Sequence, residues 1–198
     1  QVATLKTSQL VALTTVQLSK METEDLAAIT TDQITALTTA QVAALTTDQV
    51  INLSTDQVAT LTTRQLTSLT TAQTVALTTD QLVAMETADL AVLGAVSLRA
   101  LTIDQIASLT QDQVVAMTST QLNALTTAQV GALTTDQLVV IETADLARLS
   151  VTQLSALTGE QVSALLTEQT VSLTVAQVKG LTTDQVMSLT TDQVVAMT

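Results

Sequence analysis

A leucine-like residue recurs every eight positions from Leu5 to Met197, with no insertion or deletion, and this register constrains the fold more than any other feature. All 25 positions of the row hold Leu, Ile or Met, as at Leu13, Met21, Ile29, Leu37 and Leu45. The residue after each is Thr or Ser in 19 of 25 octads, so a polar row runs beside the apolar one. Gln fills another row in 21 of 25 octads (Gln17, Gln41, Gln57, Gln129), and the residue after it is aliphatic in 23 of 25, with Thr74 and Thr170 departing. The unit reads Leu-Thr-Thr-x-Gln-Val-Ala-Ala. No position offers a linker, so residues 1–198 read as a single continuous array. The start lacks the basic and apolar regions of a signal peptide, and the chain is expected to be a fragment of a longer protein, with any targeting signal outside it.

A single long helix does not fit the period. Eight residues advance a helix by about 800°, leaving a drift of about 80° per octad, so the leucines would spread around the helix. The spacing is neither a heptad nor a hendecad, which disfavours a coiled coil. Local chemistry points elsewhere. Thr38 and Gln41 are spaced as a capping box, in which the Thr38 hydroxyl accepts from the Gln41 N–H and the Gln41 side chain returns to the Thr38 N–H. Leu37 and Val42 flank that box as a hydrophobic staple. The same devices recur at Leu45, Thr46, Gln49 and Val50 and in most later octads. The sequence therefore asks for a helix start every eight residues.

Each octad is then expected to be one short helix of about one and a half turns, too short to stand alone. Stacking must supply the stability, which predicts an all-α solenoid or superhelix with the Leu, Val and some Ala rows inside. Small residues such as Ala44, Ala84 and Gly180 would let coils approach closely. A β-solenoid is the alternative, since Thr and Val favour strands. Against it stand four Gly and no Pro, few residues for the turns that a β-coil needs, and the opposite parity of Leu37 and Val42. Gly94 and Leu166 occupy cap positions without a cap side chain, and local opening is expected there.

The core material is aliphatic throughout, with no aromatic residue, which suits a thin object. The chain has no His and no Cys, so Ser-His-Asp and Cys-His catalysis and thiolate zinc sites are absent, and there is no Gly-rich phosphate loop. Net charge is −12, and the six basic residues (Lys6, Lys20, Arg64, Arg99, Arg148 and Lys179) are scattered, so no surface for nucleic acid is expected. Thr and Gln interrupt every apolar stretch, so no membrane insertion is expected.

The acidic residues Asp32, Asp48, Asp56, Asp80, Asp104, Asp112, Asp136, Asp184 and Asp192 share one row. It falls at the second helical position, where carboxylates complement a helix start. Such a row could gather Ca²⁺ only weakly, and only if coils brought two carboxylates together. Three octads replace Thr and Gln together: Glu22 with Asp25, Glu86 with Asp89, and Glu142 with Asp145. Paired carboxylates can perform acid–base work in a cleft with a raised pKa, but the plainer reading is an exchange of polar partners, because an ionised Asp cannot donate back and the reciprocal box is lost. No catalytic, cofactor-binding or metal-binding residue is assigned, and no cofactor is expected. Residues 69–93 and 125–149 nearly repeat one another at an offset of 56, while METEDL begins 64 residues before METADL. The unequal offsets read as segmental duplication.

The five residues Leu45-Thr46-Thr47-Asp48-Gln49 carry an LTxxQ signature that is similar to a short motif of periplasmic stress chaperones; it implies helix capping and nothing more. The tandem LTTxQV array resembles repeats of very large bacterial surface or secreted proteins of the adhesin-like kind. That resemblance covers essentially all 198 residues and implies an extracellular or cell-surface stalk or filament, associating with itself, with neighbouring repeats or with a host surface ligand. Two other functions fit the residues: a polar Thr/Gln face binding glycan, ice or mineral, and a periplasmic or intracellular molecular ruler. An enzyme is not expected.

Overall fold

The computed structural model describes residues 5–197; Gln1 and Thr198, which belong to the glutamine and cap rows, lie outside the described residues. Twenty-four α-helices of four to six residues fill the described chain, from α1 (Thr7–Val11) and α2 (Thr15–Ser19) to α23 (Thr183–Ser188) and α24 (Thr191–Ala196). Every one begins at the residue after the cap row, eight positions after the last, so the predicted restart holds even in octads that lack cap residues. No strand is present among the described residues, which excludes the β-solenoid.

The chain turns between helices without glycine. Helix α4 (Thr31–Ala36) ends at Leu37, whose backbone is extended (φ −59°, ψ 140°), and Thr38 follows at φ −69°, ψ 156° as the cap of α5 (Thr39–Ala43). Other helices end on a residue still in the right-handed region, as at Ala44 (φ −91°, ψ −7°). No residue with positive φ occurs among the described residues. Two consecutive extended residues are enough to redirect the chain, which is why four Gly and no Pro suffice.

The chain forms two compact units, Gln1–Leu101 and Thr102–Thr198. Within each, a helix packs on the third helix along the chain. In the first unit α5 meets α8 (Thr63–Ser68), and α7 (Thr55–Ala59) meets α10 (Thr79–Ala84). In the second, α20 (Gly159–Ala164) meets α23, and α21 (Thr167–Val171) meets α24. The core is the row after Gln together with the leucine row: Leu82, Leu90 and Leu138 are fully buried, and Leu37, Leu109 and Leu157 nearly so. At about 25 cal/mol per Å² of apolar surface removed from water, these two rows carry most of the stabilisation that isolated five-residue helices lack.

Close packing needs small residues at some positions. A β-carbon added to Gly131 would lie 2.9 Å from the Ala156 carbonyl oxygen, and one added to Gly180 would collide with the Val151 side chain. Thr74 and Thr170, the two polar exceptions in the core row, are buried, and their hydroxyls donate within their own helices to the Thr70 and Leu166 carbonyls at 3.1 and 3.0 Å. A threonine is tolerated there because its one donor is satisfied locally.

Candidate functional site

The recurring polar constellation of the molecule is a glutamine held between two helix ends. Its first half is the capping box. In α5 the Gln41 N–H donates to the Thr38 hydroxyl at 3.2 Å, and the Thr38 N–H donates to Gln41 Oε1 at 2.9 Å. Two of the unpaired N–H groups at the helix start are thereby satisfied.

The second half is long-range. The Gln57 Nε2 group donates to the carbonyls of Leu26, Ala27 and Ile29 at 3.3, 3.3 and 2.8 Å. Gln65 reaches Ile34, Thr35 and Leu37, and Gln81 reaches Val50, Ile51 and Leu53. In the second unit Gln137 reaches Ile106, Ala107 and Leu109, and Gln193 reaches Val162, Ser163 and Leu165. The acceptors lie 28, 30 and 31 residues earlier, at the C-terminal end of a helix whose last carbonyls have no partner inside it. A 28-residue return is 28/8 = 3.5 octads, so the chain comes back over itself about every three and a half repeats. One amide thus closes the start of its own helix and the end of another one coil below. These glutamines are nearly fully buried, at 2% exposure for Gln57, Gln65 and Gln81.

This arrangement removes the glutamine row from any ligand-binding face, because both ends of each amide are engaged within the fold. The cap hydroxyls are engaged as well, each accepting from a backbone N–H. What remains outside is the first helical residue of each octad, exposed at Thr39, Thr47, Thr55, Thr63 and Thr71, and the aspartate row beside it. Asp32, Asp48, Asp56, Asp80, Asp104, Asp112, Asp136, Asp184 and Asp192 are exposed at the second helical position, as the sequence placed them. No cluster of three metal-ligating side chains occurs among the described residues.

The three carboxylate pairs sit where the sequence placed them, but the exchange alters a different bond from the one expected. Glu22, Glu86 and Glu142 occupy the caps of α3 (Thr23–Ala27), α11 (Thr87–Val92) and α18 (Thr143–Leu146) without a side-chain cap bond. The reciprocal bond of a box needs only an acceptor, and an ionised Asp could supply one. The lost component is the donor for the coil below. Position 89 is Asp, so no glutamine amide stands 28 residues after Leu61; Ser97 leaves Leu69 and Asp145 leaves Met117 in the same situation. Asp145 instead accepts from the Ser119 hydroxyl at the start of α15 (Ser119–Ala124). Asp89 is buried to 8% exposure; that burial, and then the neighbouring Glu86 carboxylate, push its carboxyl above the ordinary carboxylate range.

The capless octads also fold. Gly94 precedes α12 (Ala95–Ala100) with no side-chain cap. Leu166 precedes α21, where the Leu166 N–H still donates to Gln169 Oε1 at 2.9 Å, half of a box.

The ALTTAQ repeat model matches residues 18–55 and, through overlapping segments, 82–198, more than half of the chain. The chain belongs to the ALTTAQ repeat family. No curated protein matches it. In structural terms the ALTTAQ unit is a leucine that turns the chain, a Thr cap, and a glutamine that serves two helices. With neither His nor Cys in the chain, and with its polar rows committed to helix ends, the array is a non-catalytic structural module. No described helix is long and apolar enough to cross a membrane.

Proposed function

We propose that the array is a spacer displayed outside the cell, a stalk or filament whose reach is set by the number of octads. The observation that carries this reading is the glutamine tie from coil to coil. Each added coil is bound to the last by the same buried amides and the same apolar rows, so the array grows by adding equivalent layers rather than by enlarging a core. The likeness to repeats of large bacterial surface proteins supports an extracellular or cell-surface location. The acidic surface supports solubility and repulsion of anionic partners.

Small-angle scattering of arrays of 12, 24 and 36 octads tests the spacer. The maximum dimension is expected to rise in proportion to octad number, and a cube-root rise would contradict it. Antibody labelling of unpermeabilised cells tests the location; signal only after permeabilisation would move the array inside as a ruler. A second reading, a scaffold for glycan, ice or mineral, draws on the exposed threonines at the first helical position. Substituting Thr39, Thr47, Thr55 and Thr63 with Val would abolish such binding while leaving helix content unchanged.

A further inference from the structure

The two free coil edges of the array are complementary to one another. At the C-terminal edge the core row comes into the open. Val186 and Val194 are 52% and 47% exposed, although their counterparts Val58 and Leu82 are fully buried. Leu181 and Leu189 are only half-buried, while Leu37 through Leu165 in the same row are buried. The carbonyl sets at Val178–Leu181 and Val186–Leu189 correspond in register to those that take Gln57 and Gln65 elsewhere. They receive no glutamine amide among the described residues, because Gln193 reaches back only to Leu165. Beside them a cavity of about 380 Å³ opens between α21 and α24, lined by Thr170, Leu173, Val178 and Met197. It includes Thr170 and Leu173, the residues that would face the next glutamine of a continuing array.

The N-terminal edge presents the opposite set. Gln9 and Gln17 are exposed, and their Oε1 atoms are held by the Lys6 and Thr14 N–H groups at 2.9 Å. Their Nε2 groups have no cross-coil acceptor among the described residues. Leu13 and Met21 are half-buried beside them. The two glutamines are eight residues apart, and so are the two open carbonyl sets.

Resting on the structural reading above and naming its partner, we infer that the C-terminal edge binds the N-terminal coil of a second copy of this chain, head to tail. Gln9 enters the carbonyl set at Val178–Leu181 and Gln17 the set at Val186–Leu189. Leu13 and Met21 cover Val186 and Val194. The contact repeats the coil-on-coil packing within each unit, with the same donors, acceptors and apolar rows, so the occupant is specified by the layers that already fill this position. Because the two surfaces differ, association is heterologous and leaves one free edge of each kind at every step.

Sedimentation velocity of the 198-residue chain over a concentration series tests this. The mass is expected to pass through dimer to larger species. A monomer at every concentration overturns the inference but leaves the spacer reading intact, whereas a compact particle in the scattering series would overturn the spacer whatever the association state. V186E/V194E blocks one edge and Q9A/Q17A the other; all four sites are exposed, and helix content should be retained. Each variant alone is expected to stay monomeric, with association weakened at least ~10-fold. Mixed together they should form a one-to-one heterodimer and nothing larger, because one good edge of each kind remains. Self-dimers of either variant, or no heterodimer on mixing, would overturn the head-to-tail contact.

Discussion

Helices α5–α10 and helices α11–α12 belong to the same unit and keep the same leucine register, but they are held differently. Each of the first six has a Thr or Ser cap, a reciprocal glutamine bond and amide donors into the coil below. The next two have Glu86 and Gly94 at the cap and Asp89 and Ser97 in the glutamine row, and neither has a side-chain cap bond. Both are nevertheless six-residue helices with Leu90 and Leu98 fully buried. The apolar rows alone are enough to fix where a helix begins and what it packs on. The glutamine adds a tie between coils, so its loss is expected to lower local stability without changing the fold.

The largest test of that division is Gln65→Ala. It leaves the carbonyls of Ile34, Thr35 and Leu37 without their amide donor in a buried setting and removes the acceptor for the Thr62 N–H. A loss of about 3 kcal/mol is expected, read as a lower urea midpoint with faster amide exchange confined to α8 and the end of α4. An effect no larger than that of a surface substitution would mean that the tie is ornamental.

The reverse change, Asp89→Gln, should bring α11 up to the standard of α10 and add about 1.5 kcal/mol. It should also remove a pH dependence. The Asp89 carboxyl is raised in the folded state, first by burial and then by Glu86, so the folded chain binds its proton more tightly than the unfolded chain. Stability at this site is therefore greatest in acid and falls as pH rises from about 4, the unfolded carboxylate value, through the raised folded value. Urea midpoints measured across that window should fall with pH in the parent relative to D89Q; identical slopes would contradict the burial of this carboxylate.

Leu166→Thr separates the two halves of the box. Gln169 already accepts from the backbone at position 166, and the variant adds only the hydroxyl, for a gain of about 1 kcal/mol in α21. Thermal midpoints would show it. Gly94→Ser should give least, about 0.3 kcal/mol, since Gly is already a tolerable cap and Ser97 supplies no glutamine partner. Amide exchange in α12 would resolve a change of that size; a gain equal to that of Asp89→Gln would shift the weight from the cross-coil tie to the cap.

The parts of the fold legible in the sequence were the local ones. The cap, the box and the staple are contacts between residues three to five apart, so Thr38, Gln41, Leu37 and Val42 declare them directly. The aspartate row was legible for the same reason. The other end of the glutamine was not, because its acceptors lie 28 to 31 residues away and depend on how many octads make a coil. One signal was present in the sequence: a box needs only a side-chain acceptor at its third helical position, and Glu or Asp would supply that. The near-exclusive use of Gln pointed to a donor with work elsewhere. The exchange at Asp25, Asp89 and Asp145 was visible, but its consequence was assigned to the box when it falls on the coil below.

Hydrogen exchange of the glutamine side-chain amides, followed residue by residue by NMR, tests the two-ended role most directly. The Nε2 protons of Gln57, Gln65, Gln73 and Gln81 are expected to be strongly protected, each donating to buried carbonyls. Those of Gln9 and Gln17 in the monomer should exchange at the rate of a free side chain. Uniformly fast exchange along the whole row, with helix content intact, would contradict the tie between coils.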